Sequence, residues 1–72
     1  MGAPRKRSLT LHGHRTSVSL EDAFWEVLQE AARAEGLSVN ALCTRIDEER
    51  DPETALASAI RVWLLRWALS RH

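Results

Sequence analysis

The sequence predicts a mostly α-helical domain in which a short β-strand is followed by two helices and then by an additional C-terminal helix. Three observations predict this order. Residues 15–20 alternate as a strand does, two stretches with helical periodicity follow with Gly36 between them, and Asp51-Pro52 marks the start of a third helical stretch. Because an isolated strand leaves its backbone donors and acceptors unpaired, residues 15–20 need a partner strand.

Length and composition predict one small domain that associates with itself. The chain has 72 residues, of which 44% are hydrophobic and three are tryptophan. This apolar surplus favours a homodimer that shares one core. The single cysteine, Cys43, excludes an intramolecular disulfide. No signal segment is recognisable, and the longest apolar run, Val62 to Leu65, is too short to span a bilayer, so we expect a soluble cytoplasmic protein.

Basic and acidic residues are segregated along the chain, although the formal net charge is zero. Residues 1–20 contain no acid, whereas all ten acids lie between residues 21 and 53. The basic residues and histidines of this N-terminal part are Arg5, Lys6, Arg7, His12, His14 and Arg15. We interpret residues 1–7 as a flexible basic arm and the asymmetry as an edge that faces a polyanion. A disordered, solubilising N-terminus explains the same pattern equally well.

Two partners are available to the predicted strand. Its two faces carry Thr16, Val18 and Leu20 on one side and Arg15, Ser17 and Ser19 on the other. Residues 8–11 also alternate, and His12-Gly13 could form the tight turn of a local hairpin. Alternatively, two copies pair their strands antiparallel about a two-fold axis, and the hairpin either competes with that pairing or adds an outer strand to it. The two-helix continuation favours a second chain, giving an intertwined dimer with a two-stranded antiparallel ribbon.

The first two helices have recognisable ends. Ser19 and Asp22 resemble a capping box for the first helix, and Gly36 lies just beyond its end. Ser38 is a good N-cap for the second helix, which fades in the charged run 47–50. The apolar positions predicted to form the dimer core are Val18, Leu20, Phe24, Val27, Leu28, Leu42 and Ile46.

The third helix is predicted at about residues 52–70, with Asp51 as its cap and Pro52 in its first turn. It carries two apolar stripes: Leu56, Ile60, Trp63, Leu64 and Trp67 in the first, and Val62, Leu65 and Leu69 in the second. We expect this helix to pack on the core and to extend the dimer contact or build a tetramer. The predicted organisation is an arm (1–7), a strand-helix-helix domain (8–50) and a C-terminal helix (51–72).

Catalytic patterns are weak in this sequence. His12 and His14 could contribute to a metal site, but no further ligands follow at a recognisable zinc spacing. Cys43 lies on a predicted apolar face, as a small core residue does. The sequence has no phosphate-binding glycine loop and no Ser-His-Asp pattern. We therefore expect no enzymatic activity, no cofactor and no bound metal.

The strand-helix-helix order favours DNA as the partner. A two-stranded ribbon fits the major groove, where the polar face with Arg15, Ser17 and Ser19 would reach base edges. The start of the second helix would lie at flanking phosphates, and the amides of Ser38, Val39 and Asn40 would bind them.

Two stretches carry a family resemblance: Thr-Ser-Val-Ser-Leu-Glu-Asp-Ala-Phe-Trp at 16–25 and Gly-Leu-Ser-Val-Asn-Ala-Leu-Cys at 36–43. They resemble the ribbon-helix-helix (Arc/MetJ-like) family of DNA-binding repressors. Gly-His-Arg-Thr-Ser-Val-Ser-Leu-Glu at 13–21, with a tryptophan soon after, resembles a small bacterial subfamily of these proteins. The resemblance covers about residues 8–50. It implies an obligate dimer, operator binding through the ribbon, and transcriptional repression.

By position, the resemblance assigns base contacts to Arg15, Ser17 and Ser19. It also assigns backbone contacts to Ser38, Val39 and Asn40. Two features depart from the family pattern: the two serines are short for base-reading positions, and the third helix lies outside the minimal family unit.

The leading hypothesis is a dimeric, sequence-specific DNA-binding regulator whose phosphate contacts also include Arg5, Lys6 and Arg7. Its binding should weaken steeply with salt. The alternative is a protein-interaction or antitoxin-like adaptor on the same scaffold, with weak or no DNA reading. The short ribbon serines and the apolar third helix motivate this second hypothesis.

Overall fold

The computed structural model describes residues 2–71, which form two strands and three helices. They are β1 (Arg5–Leu11), β2 (His14–Leu20), α1 (Asp22–Ala34), α2 (Val39–Glu49) and α3 (Leu56–Leu69). This order confirms the predicted strand-helix-helix arrangement with an additional C-terminal helix. It also adds a second strand, which precedes the predicted one.

The partner of β2 is β1 of the same chain. The two strands pair antiparallel, from Arg5 opposite Leu20 to Leu11 opposite His14. Both residues of the connecting turn have positive φ, 52° at His12 and 78° at Gly13, as a type I′ hairpin turn requires. The local hairpin, which the sequence left open, therefore forms, because a two-residue connection closes at small entropic cost. Pairing between two copies of the chain stays a prediction.

The strand pairing also orders part of the N-terminal segment. Residues 5–7, predicted as part of a flexible basic arm, form the first half of β1. They are ordered because β2 is seven residues long and offers a partner to each of them. Of the predicted arm, the described residues outside the strand are 2–4.

The boundaries of α1 and α2 match the prediction, and α2 ends at Glu49 within the charged run 47–50. Gly36 has φ 70° and lies just beyond α1, where the Leu37 amide donates to the carbonyl of Ala32 at 2.9 Å. Ser38 caps α2, with its Oγ accepting from the Ala41 amide at 3.0 Å.

The predicted capping box at the start of α1 is wrong. The N-cap is Glu21, which makes no side-chain cap hydrogen bond. Ser19 belongs to β2, and the Asp22 carboxylate accepts hydrogen bonds from Arg7 and Arg5.

The third helix begins at Leu56 rather than at Pro52. Asp51 caps a separate turn, because its Oδ1 accepts from the Glu53 amide at 2.9 Å and its carbonyl accepts from the Thr54 amide at 2.9 Å. The carbonyl of Thr54 in turn accepts from Nη1 of Arg50 at 2.8 Å. These bonds hold residues 51–54 in a turn that precedes the helix.

One apolar cluster lies between the hairpin and the three helices. Five of the seven predicted core residues are buried in it, and Phe24 and Val27 pack against it half-buried. The buried members are Leu9, Leu11, Val18, Leu20, Leu28, Ala31, Ala32, Leu42, Cys43, Ile46, Ile60 and Leu64. Ile60 and Leu64 show that α3 covers the core, as predicted.

A single chain buries most of this apolar core from solvent without a second copy. Its accessible surface is 4899 Å², close to the ~4500 Å² expected of a folded monomer of this mass. Cys43 is fully buried, and this burial raises the pKa of its thiol to about 11, so it is a core residue as predicted. None of the described helices is long and apolar enough to cross a membrane.

Candidate nucleic-acid interface

The register of the hairpin separates it into two faces. The inner face places Leu9, Leu11, Val18 and Leu20 in the core. The outer face consists of three cross-strand pairs: Lys6 with Ser19, Ser8 with Ser17, and Thr10 with Arg15. All six of these side chains are exposed. The outer face therefore offers two cations and four hydroxyl groups, with no carboxylate, to an external partner.

Three of the predicted site residues lie together on this outer face. They are Arg15, Ser17 and Ser19, which the alternation of residues 15–20 already assigned to one side. The hairpin adds Ser8 and Thr10 beside them, and sequence reasoning did not select these two. Their alternation with Leu9 and Leu11 was the pattern that could have identified them.

The two arginines of β1 are placed differently. Arg5 and Arg7 alternate onto the inner side of the hairpin, where both donate to the Asp22 carboxylate. The Arg7 guanidinium also lies 5.1 Å from the centroid of the Trp25 ring, and its side chain is only 17% exposed. Of the basic residues predicted to contact phosphate from the arm, Lys6 alone projects from the outer face.

We expect the pairing of Asp22 with Arg7 to stabilise the fold only while the carboxylate is ionised. The hydrogen bond from Arg7, with a further attraction by Arg5, lowers the pKa of Asp22 below its ordinary value of 3.8. The unfolded chain therefore takes up the proton first as the pH falls. The contribution is full above about pH 5 and is lost as the pH drops below about 4, through the folded-state pKa.

This expectation is tested by denaturant unfolding of the parent and of Asp22→Asn across that pH range. The parent should be the more stable at neutral pH, and the difference in the free energy of unfolding should shrink in acid. A difference that stays constant down to about pH 2 would contradict the role of the charge.

The start of α2 lies beside the outer edge of β1. The two-residue turn makes Leu11 and His14 a hydrogen-bonded pair. Because such pairs alternate along an antiparallel ladder, the next pair, Thr10 and Arg15, is not hydrogen-bonded, and the Thr10 amide points away from β2. This amide donates to Oδ1 of Asn40 at 3.1 Å. Because a helix N-terminus carries a partial positive charge, the start of α2 adds favourable potential near the outer face.

The three residues predicted to contact phosphates at α2 have distinct surroundings. Ser38 and Asn40 are exposed, and their side chains accept the hydrogen bonds from Ala41 and Thr10. Val39 is half-buried against the core. They form the first turn of α2 and its cap, as the prediction of an N-terminal anion site requires.

Two carboxylates near the hairpin, Glu21 and Asp47, are paired with arginines that lie outside its outer face. Glu21 accepts from Arg61 at 2.9 and 3.0 Å, and Asp47 accepts from Arg50 at 2.7 Å. Nε2 of His12 lies 3.4 Å from Oδ2 of Asp47. Residues 2–71 contain no group of three or more His, Cys, Asp or Glu side chains that could hold a metal ion. The charge segregation of the sequence persists on the outer face of the hairpin, whereas Arg5, Arg7 and His12 lie against carboxylates of α1 and α2.

The chain belongs to the ribbon-helix-helix domain family, whose pattern matches residues 4–68. This confirms the family resemblance. It also corrects the statement that the third helix lies outside the family unit, because the match extends through most of α3. Membership indicates a DNA-binding regulator or a related module.

The chain is also similar to the solved structure of an uncharacterized protein from Bordetella pertussis Tohama I. The two share 39% sequence identity with a TM-score of 0.78. The similarity covers 93% of this chain and 57% of that one, so this chain spans little more than half the length of that protein. No curated protein matches the chain.

Proposed function

We propose that this protein is a homodimeric, sequence-specific DNA-binding regulator, a transcriptional repressor acting in the cytoplasm, that inserts the outer face of its hairpin into the major groove. The observation that carries the proposal is the composition of that face. It concentrates two cations and four hydroxyls on one side of a two-stranded ribbon, in a chain of zero net charge. Such a face matches a polyanion whose groove edges are hydrogen-bonding groups.

The dimensions of the hairpin support this assignment. Two strands lie about 4.8 Å apart, and the major groove, about 12 Å wide, admits a two-stranded ribbon. Arg15 carries the planar guanidinium of this face, whose fixed geometry suits two parallel hydrogen bonds to guanine. Ser17 and Ser19 both donate and accept, so they discriminate weakly between bases. We therefore assign the largest share of base reading to Arg15.

Phosphate contacts fall to Lys6 and to the first turn of α2, formed by Ser38, Val39 and Asn40. The bond between Asn40 and Thr10 fixes this turn relative to the ribbon, so both reach the same duplex in one orientation. Arg5 and Arg7 contribute less than the sequence suggested, because Asp22 neutralises part of their charge.

In a homodimer, two outer faces related by a two-fold axis would read two half-sites. The operator is then expected to be a pseudo-palindrome. DNA immediately upstream of the protein's own gene is the first duplex to test, because a repressor that controls its own synthesis binds there.

The test is a DNA-binding titration with Arg15→Ala. We expect a loss of about 1–3 kcal/mol for the specific duplex, which corresponds to ~5- to 150-fold in affinity. Arg33→Ala removes the same side chain from an exposed position on α1 and serves as the matched control. If Arg15→Ala binds every duplex as tightly as the parent at the same salt, the groove assignment is wrong.

A protein-interaction or antitoxin-like adaptor is the second candidate. It is favoured by Val62, Leu65 and Leu69, which are large apolar side chains exposed on α3. Removing α3 would test this poorly, since Ile60 and Leu64 would leave the core. A Leu65→Glu variant keeps the core intact. If the parent fails to bind DNA and Leu65→Glu abolishes capture of a partner, the adaptor is the correct function.

A further inference from the structure

The exposed large hydrophobic side chains among residues 2–71 are confined to one helix. They are Val62, Leu65 and Leu69 of α3, exposed by 46%, 58% and 64%. Ser58, which is small and exposed, extends the row, so that successive members are four, three and four residues apart. This is the spacing of the seam by which two helices pack together. We call these four residues the α3 seam.

The α3 seam is separate from the contacts that hold α3 to its own core. Ile60 and Leu64 face inward and are essentially inaccessible, at 0% and 1% exposure. Trp63 and Trp67, which belong to the other apolar stripe of α3, are half-buried against the core. The opposite face of α3 already packs on the core, so the α3 seam is free to contact a second molecule.

The seam has the symmetry of a self-complementary surface. Ser58 and Leu69 lie at equal distances along the helix from a point between Trp63 and Leu64, and so do Val62 and Leu65. A two-fold axis through that point would place Ser58 opposite Leu69 of a second copy, and Val62 opposite Leu65. A small residue then faces a large one at both ends, which permits close packing. The serine lies at the end of the seam, where its hydroxyl can still reach water.

Charge selects the relative orientation. Exposed Asp51 and Glu53 precede α3, whereas exposed Arg66 and Arg71 lie in its C-terminal half and just beyond its end. Antiparallel helices bring the acidic start of one copy towards the basic end of the other, and parallel helices bring like charges together. Antiparallel packing also places the partially positive N-terminus of each helix beside the partially negative C-terminus of the other.

We propose that the α3 seam is an interface with a second copy of this chain, in which the two α3 helices pack antiparallel about a two-fold axis. The seam shares no residue with the outer face of the hairpin. The proposal is therefore independent of DNA binding, and self-association through α3 can be measured without DNA.

The first experiment is sedimentation of the full chain and of Leu65→Glu, with circular dichroism as the check on folding. The parent should associate, and Leu65→Glu should have half the associated mass while remaining folded. Gln29→Glu adds the same charge at an exposed position on α1 and should sediment as the parent does. A monomeric parent, or an unchanged mass for Leu65→Glu, overturns the proposal; in the second case the seam belongs to a different partner.

The second experiment tests orientation by disulfide trapping. Ser58→Cys and Leu69→Cys chains are mixed and oxidised; the native Cys43 is fully buried and does not compete. The antiparallel arrangement predicts cross-links between the two different variants and few within either variant alone. Cross-links that form mainly between identical variants, or none in any mixture, overturn the antiparallel register.

Discussion

Leu64→Ala is expected to destabilise the domain by about 2–5 kcal/mol, whereas Leu65→Ala should change its stability by less than about 0.5 kcal/mol. The two leucines are neighbours on α3, but Leu64 is 1% exposed and Leu65 is 58% exposed. Truncation of Leu64 removes buried methyl groups and leaves a cavity beneath the helix. Truncation of Leu65 removes atoms that already contact water. Because small domains have little stability to spare, Leu64→Ala should lose a large share of its free energy of unfolding.

Urea denaturation followed by tryptophan fluorescence measures this difference, since Trp63 and Trp67 pack on the same cluster. The comparison is made at low protein concentration, where self-association adds no stability. Similar urea midpoints for the two variants would mean that burial of Leu64 does not hold α3 to the core.

The two stripes of α3 illustrate what the sequence can and cannot predict. Helical periodicity separates Ile60 and Leu64 from Val62, Leu65 and Leu69 without any structure. Which stripe faces the core depends on the elements already assembled around it, and local sequence does not carry that information. The contact of Arg61 with Glu21 is a similar case, because these residues are 40 positions apart and no periodic pattern links them.

The alternation of β1 predicts which way its basic side chains point. Alternation from Leu9 and Leu11 places Arg7 and Arg5 on the inward face and Lys6 on the outward one. The prediction of a flexible arm at residues 1–7 does not include this alternation. The alternation of residues 15–20 predicts the outward positions of Arg15, Ser17 and Ser19, and all three are exposed.

The start of α1 was mispredicted for a different physical reason. A serine followed three residues later by an acid is a common helix start. Here the strand continues through Ser19 to Leu20, and the two arginines of β1 bind the Asp22 carboxylate that a capping box would use. Long-range charge pairing has therefore overridden a local capping preference.

Reversal of both outer-face charges, in the double variant Lys6→Glu and Arg15→Glu, is expected to reduce affinity for the specific duplex by at least about 100-fold. Both residues lie on the outer face, one on each strand of the hairpin. Their replacement removes the favourable contacts and adds repulsion from the phosphates. If each of the two cations releases one counterion when the parent binds DNA, the variant should depend less on salt. The slope of the logarithm of the binding constant against the logarithm of the salt concentration should then be shallower by about 2.

A matched double variant, Arg33→Glu and Arg45→Glu, distinguishes a local effect from one of net charge. It changes the net charge by the same amount at exposed positions of α1 and α2. Among the described residues, the only ion pair that this variant removes is the exposed contact of 3.4 Å between Arg45 and Glu35. Exposed pairs of this kind contribute at most about 1 kcal/mol to stability. An equal loss of affinity in both variants would show that binding depends on overall charge, and the hairpin would then have no special role in recognising DNA.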